Sequence, residues 1–194
     1  MVTGHLGLAA QGRRDQNGKG PHVQMRAALL IGFIDGNDPL HDGLHPGKLR
    51  DRLEIVLFSR DLVTLTPLSP LGEKREDVRR RVSGIVEGGD TRLYGAVKMA
   101  YDELQSSGDA DHIRAIVVLS DGENTINDID LDQLLAHLGG SGESGTAPKV
   151  FTIAFGNDAD REVLQTIAEI TGAKQYDGDP QTINGVSAVI APFF

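Results

Sequence analysis

The pattern of apolar and polar positions is strongest in the second and third quarters of the chain. Leu53-Glu54-Ile55-Val56-Leu57-Phe58 predicts a strand, and Leu62 to Thr66 a short second one. Pro67 is expected to end it, because proline has no amide hydrogen to give to a ladder. Val78, Val82, Ile85 and Val86 fall on one side of a charged segment, which predicts a helix over Glu73 to Val86. Gly88-Gly89-Asp90 breaks the chain. Leu93, Val97, Ala100 and Leu104 share one face of a helix over Leu93 to Gln105. Ile113 to Leu119 is β-branched and apolar at its end, as a strand buried on both faces should be.

Asp130 to Leu138 predicts a short helix, Gly139 to Thr146 a loop, and Lys149 to Phe155 another buried strand. A helix is expected over Asp160 to Ile170, with Asp158 as the N-cap candidate. In it Val163, Ile167 and Ile170 pack, and Gly172 is the stop. Thr182 to Phe194 fits a last helix.

The first part is less regular. Met1 to Gln24 is polar and glycine-rich, with Leu6 to Ala10 a weak strand candidate and Gly12 to Pro21 a loop. Met25 to Ile34 reads two ways. Met25, Ala28, Leu29, Gly32 and Phe33 have helical spacing, whereas Ala27 to Ile34 is also a continuous apolar run that suits a buried strand. Asp35 to Lys48, with two prolines and three glycines, is a loop.

Strands alternating with helices imply an α/β fold: a three-layer, doubly wound, mainly parallel sheet with helices on both faces. Ligands of such sheets bind beyond the carboxyl ends of the strands. Those ends carry Ser59, Ser120-Asp121-Gly122-Glu123 and Gly156-Asn157-Asp158. The 194 residues fit one domain.

Composition removes several function classes. A net charge of −9 argues against nucleic-acid binding, which needs a basic face. The absence of cysteine excludes disulfides, thiolate metal sites and a thiol nucleophile. No apolar run is long enough to predict a membrane span, and Met1 to Ala10 lacks the pattern of a secretory signal. No Gly-x-Ser-x-Gly elbow and no paired acid and base stand out, so a non-enzymatic role is expected, with a doubly wound hydrolase as the weakest alternative.

Other polar groups are poor site candidates. Glu123, Asp128, Asp130 and Asp132 lack the glycine and bidentate glutamate of a helix-loop-helix calcium site and read as a solvated acidic loop. His41, Asp42 and His45 have no clear third partner for a transition metal. Gly12 to Lys19 has the wrong spacing for a phosphate loop.

Four stretches carry a resemblance. They are Asp51 to Ser59 (DRLEIVLFS), Gly88 to Ala96 (GGDTRLYGA), Ala115 to Asn124 (AIVVLSDGEN) and Phe151 to Gly156 (FTIAFG). In order and spacing they resemble the von Willebrand factor A family, and the tail from Thr171-Gly172 to Phe193-Phe194 is similar to bacterial members. The resemblance covers Met25 to Phe194, leaving residues 1–24 as a poorly matching segment. It implies the Rossmann-like fold of that family and a protein-interaction or adhesion role.

The resemblance also implies a metal-ion-dependent adhesion site for Mg²⁺ or Mn²⁺, completed by an acidic side chain of a protein partner. Thr91 takes the place of the family's loop threonine, and Asp121 that of its later aspartate. The family's Asp-x-Ser-x-Ser motif is absent from this chain, so the site is incomplete. The resemblance makes Met25 to Ile34 the first helix, which points to Asp15 in the motif position, followed by Asn17 and Lys19. The strand reading points to Asp35 instead. With the helix, Leu6 to Ala10 is expected to fill the central strand. Two explanations stay open: an incorrect start or shifted frame ahead of the true first strand, or a naturally degenerate site. A metal-independent scaffold and a subunit of an ATPase-linked complex are the alternative roles. By resemblance, a location at the cell envelope is expected.

Overall fold

Apolar runs too uniform to leave a polar face are driven to the middle of a sheet, where both faces are covered. Six strands obey this to different degrees in the computed structural model, which describes residues 27–34, 52–70, 77, 90–107, 113–140 and 147–179. They are β1 (Ala27–Ile34), β2 (Arg52–Phe58), β3 (Leu62–Pro70), β4 (Ile113–Ser120), β5 (Lys149–Phe155) and β6 (Gln175–Gly178). Three helices accompany them: α1 (Leu93–Ser106), α2 (Leu131–Gly139) and α3 (Arg161–Ile170). The strand order is β3-β2-β1-β4-β5-β6.

Ala27–Ile34 is a strand, not the helix that the family resemblance implies, and it holds the central position expected of Leu6 to Ala10. Every residue of the segment is apolar or glycine. A helix with that sequence has no side to show to water, whereas a central strand buries both. β1 pairs antiparallel with β2, Ala27 opposite Phe58, and antiparallel with β4, Ala28 opposite Leu119. Leu6 to Ala10 lies outside the described residues.

The direction of β1 changes the character of the sheet. β4, β5 and β6 are parallel neighbours, and β2 runs the same way; β1 and β3 run against them. Four of six strands thus share one direction, while three of the five pairings are antiparallel. β3 also continues through Pro67 to Pro70 rather than stopping. It is an edge strand, where a missing amide hydrogen costs no ladder bond. Its pairing with β2 slips twice between Leu53 and Val56, and one slip is closed by the Thr66 hydroxyl, which accepts from the Ile55 amide at 3.2 Å.

The main core lies on one face of the sheet. Val56, Phe58, Ile116, Val118, Val150 and Ala154 point there and meet Leu93, Val97, Tyr101 and Leu104 of α1, Leu134 and Leu138 of α2, and Leu164 and Ile167 of α3. Ala115, Val117, Phe151 and Ile153 form a second buried cluster on the other face, to which no described helix contributes. The helix expected over Glu73 to Val86 lies outside the described residues, apart from Asp77, which is helical. The one expected over Thr182 to Phe194 lies outside them entirely.

α1 and α2 follow the sequence pattern closely. α3 differs at both ends. Asp160, not Asp158, is its N-cap and accepts from the Val163 amide at 3.1 Å. The buried stripe is Leu164, Ile167 and Ala168, and Ile170 is 45% exposed. Gly172 follows with a φ of +68°, a left-handed turn that glycine adopts without cost.

Candidate functional site

The carboxyl ends of β2, β4 and β5 and the start of α1 bring four loops to one end of the sheet. The end of β1 found there is Ala27, opposite Phe58, with Ala28 opposite Leu119. The loop of residues 90–92 is tied down on two sides. Its Arg92 amide donates to the Ser59 carbonyl at 3.0 Å. Arg60 pairs with Asp90 at 2.6 Å.

Thr91 is clasped by the loop that follows β4. Its amide donates to Thr125 Oγ1 at 2.8 Å, and its carbonyl accepts from the amides of Thr125 at 2.9 Å and Ile126 at 3.1 Å. The same β4 loop begins with a turn around Asp121, in which the buried Ser120 hydroxyl donates to the Gly122 carbonyl at 3.2 Å. These bonds place the Thr91 hydroxyl beside that turn: a Cβ on Gly122 would lie 3.9 Å from Thr91 Oγ1. The two residues expected from the sequence thus sit on facing loops.

Thr91 does not cap α1. The N-cap is Arg92, which makes no side-chain cap bond. The open amide of Tyr94 is satisfied from the neighbouring loop by Asn124 Oδ1 at 3.2 Å. Asn124 in turn donates to the Ile126 carbonyl at 2.9 Å and to Asn127 Oδ1 at 3.0 Å, which stiffens the loop. Arg92 reaches Asp128 at 2.7 Å. Asn124, Thr125 and Asp128 are therefore the residues that shape the site without having been singled out for it. Their only sequence signal is that polar residues follow the Ser-Asp-Gly-Glu turn.

The acidic loop is more than a solvated face. Asp130 caps α2, accepting from the Gln133 amide at 2.7 Å, while Gln133 Oε1 accepts from the Asp130 amide at 3.2 Å. Asp128 is occupied by Arg92, and Asp132 lies in the first turn of α2, where a carboxylate suits the helix dipole. Among the described residues no three His, Asp or Glu side chains gather into a metal cage.

Beside Gly122 lies a groove of about 710 Å³, lined by Gly122, Glu123 and residues 157–162 of the β5–α3 loop and first turn. Its one cation, Arg161, is turned to Asp177 at 2.8 Å and to the Gly156 carbonyl at 2.5 Å. Burial, then the negative charges of Asp160 and Glu123, push the Tyr94 hydroxyl above its ordinary pKa.

The hydroxyl of Thr91 and the carboxylate of Asp121 are hard oxygen donors of the sort Mg²⁺ and Mn²⁺ take, together with several waters. They would supply part of a family metal site. Asp15 and Asp35, the two candidates for the position of the Asp-x-Ser-x-Ser motif, lie outside the described residues. Ile34, which precedes Asp35, pairs with Ile113 at the opposite end of β4 from Asp121. The paired span from there to Leu119 is about 20 Å at the rise of a strand.

The fold and the paired loops at its carboxyl end define an α/β domain of the von Willebrand type. The sequence model of the von Willebrand factor type A domain matches residues 24–183, and the chain belongs to that family. Among solved structures it is similar to proximal thread matrix protein 1 from the mussel byssus. That likeness has 18% identity over 70% of this chain and 34% of that one, with a TM-score of 0.55. Another structure of the mussel protein, described as having a zinc-occupied MIDAS motif (the metal-ion-dependent adhesion site), gives 18% identity over the same shares and a TM-score of 0.51. The ArnB paralog VWA2 from Sulfolobus acidocaldarius shares 24% identity over 68% of this chain and 32% of that one, with a TM-score of 0.48. The chain spans about a third of the length of these proteins. At such identities the mussel structures define the fold alone. No curated protein sequence matches the chain.

Proposed function

We propose that the chain is a non-enzymatic protein-interaction module that binds a partner at the carboxyl end of its sheet, through a divalent cation held between Thr91 and Asp121. The observation that carries this reading is the clasp on Thr91. Three hydrogen bonds between Thr91 and the residues Thr125 and Ile126 hold the threonine loop against the loop that begins with Asp121. The Thr91 hydroxyl then lies beside Gly122, the residue that follows Asp121. A cation there leaves open coordination positions, and a carboxylate of a protein partner is the natural hard ligand to fill one. Mg²⁺ and Mn²⁺ are the proposed ions, and zinc belongs in the same trial because a structural relative is described with it.

Thermal melts in chelator and then in Mg²⁺, Mn²⁺ or Zn²⁺ test the reading. A ligand at about 100 times its dissociation constant adds roughly 2.7 kcal/mol of stability, so the native chain melts higher with the right ion and Asp121→Ala does not. Equal melts for the native chain in chelator and in every ion would defeat it. A second reading, a scaffold that binds its partner without metal, is supported by the missing Asp-x-Ser-x-Ser motif. It predicts partner capture that survives chelator.

A further inference from the structure

Glu54 is an anomaly in β2. It stands in an otherwise apolar run, on the side of the strand that faces α1, and is 4% exposed. The Thr64 hydroxyl of β3 donates to Glu54 Oε1 at 3.3 Å. Its other side-chain partner is the carboxyl group of Glu103, in the last turns of α1, to which it is hydrogen-bonded. An ionised carboxylate only accepts hydrogen bonds, so two carboxyl groups bonded to each other hold a proton between them. Glu103 is solvent-exposed, which leaves Glu54 as the group that keeps the proton.

Among the described residues, the Thr64 hydroxyl and the Leu68 backbone favour the ionised form of Glu54, and Arg52, two residues before it in β2, is exposed. β1, opposite Glu54 at Ile31, has no ionisable residue. Arg114 of β4 directs its guanidinium to the Leu104 carbonyl at 3.0 Å. On α1, Lys98 is paired with Asp102 at 2.5 Å. Burial first, then the hydrogen bond and charge of Glu103, push Glu54 up to about 7, against a weaker downward pull from the Thr64 hydroxyl and the Leu68 backbone.

We propose that Glu54 and Glu103 form a proton-held clasp that fastens the end of α1 to β2 and lets go when the shared proton is lost. α1 begins two residues after Thr91, so opening the clasp loosens the helix that carries the threonine loop. Only this consequence for binding rests on the function proposed above; the clasp does not.

The sign follows from the raised value. The folded state holds a proton that the unfolded chain releases near 4.5. Stability from the clasp is therefore present below that pH and falls as pH rises from about 4.5 through about 7. The test is a series of melts of the whole chain in chelator between pH 5 and pH 8, for the native protein, Glu54→Gln and Glu103→Lys. The native midpoint should fall by on the order of 5–10 °C across that range relative to Glu54→Gln. Glu103→Lys, at an exposed position, puts a cation beside Glu54 and should abolish or invert the fall. Amide exchange in α1, corrected for its intrinsic pH dependence, should quicken at pH 8 in the native protein alone. Native and Glu103→Lys profiles of the same shape would overturn the clasp, even if Glu54→Gln does not fold. Because these readouts are taken in chelator, failure of the metal trial leaves them intact.

Discussion

Thr91 and Thr125, 34 residues apart, exchange two hydrogen bonds: the Thr91 amide donates to Thr125 Oγ1 at 2.8 Å, and the Thr125 amide donates to the Thr91 carbonyl at 2.9 Å. The exchange couples the threonine loop to the loop after β4.

Thr125→Val keeps the shape of residue 125 and removes the acceptor for the Thr91 amide. The site is partly exposed, so water takes up some of the loss and the stability cost is about 0.5–1.5 kcal/mol. The larger effect is expected on binding. The rise in melting temperature produced by the active ion should shrink in Thr125→Val while the backbone fold, followed by far-UV circular dichroism, is unchanged.

Gly95→Ala sets two effects against each other. Alanine in a helix interior gains about 1 kcal/mol over glycine. The added methyl would meet Asp128 Oδ2 and so displace it from Arg92. That ion pair is partly exposed and worth at most about 1 kcal/mol. The expected outcome is a chemical-denaturation midpoint close to the native one, with weakened ion or partner binding as the α1 entry loses its tie to the β4 loop. An unfolding free energy lowered by more than about 2 kcal/mol would mean that Asp128 cannot move aside.

Asp160→Ala and Asp158→Ala separate the two candidate caps of α3. Only Asp160 accepts a helix amide, that of Val163. Its loss should cost about 1 kcal/mol, whereas Asp158→Ala should be near neutral. Urea denaturation of both variants checks the order, and equal effects would count against the observed cap.

Asp102 links α1 to α2, contacting Lys98 at one oxygen and His137 at the other, each at 2.5 Å. Burial by itself raises its pKa, but the hydrogen bonds and charges of Lys98 and His137 outweigh it and hold the carboxyl below its ordinary value of 3.8. A depressed acid stabilises the fold above its unfolded pKa and loses that contribution as pH falls through the folded value. The native protein should therefore exceed Asp102→Asn in stability near pH 5–6, and the gap should close on acidification below about pH 4. Paired melts across that range check it. The Glu54 response runs from about 4.5 to about 7, above the range in which Asp102 takes up its proton, so the two responses are separable.

Local pattern alone determined much of this molecule. β2, β4 and β5 were legible because their apolar runs suit only a strand, and α1 and α2 because their buried residues repeat every three or four positions. Thr91 and Asp121 could be singled out as candidates because the motifs around them are contiguous. What the sequence could not decide is everything that depends on a distant partner. The run Ala27–Ile34 satisfies helix and strand spacing equally, and only backbone bonding to β2 on one side and β4 on the other selects the strand and its direction. Pro67 could stay in a strand because tertiary structure put that strand at the edge. Asn124 capping α1, Thr125 holding Thr91 and Glu103 meeting Glu54 join residues tens of positions apart. Their chemistry is set by which side chains the packed sheet and helices bring within a few ångströms.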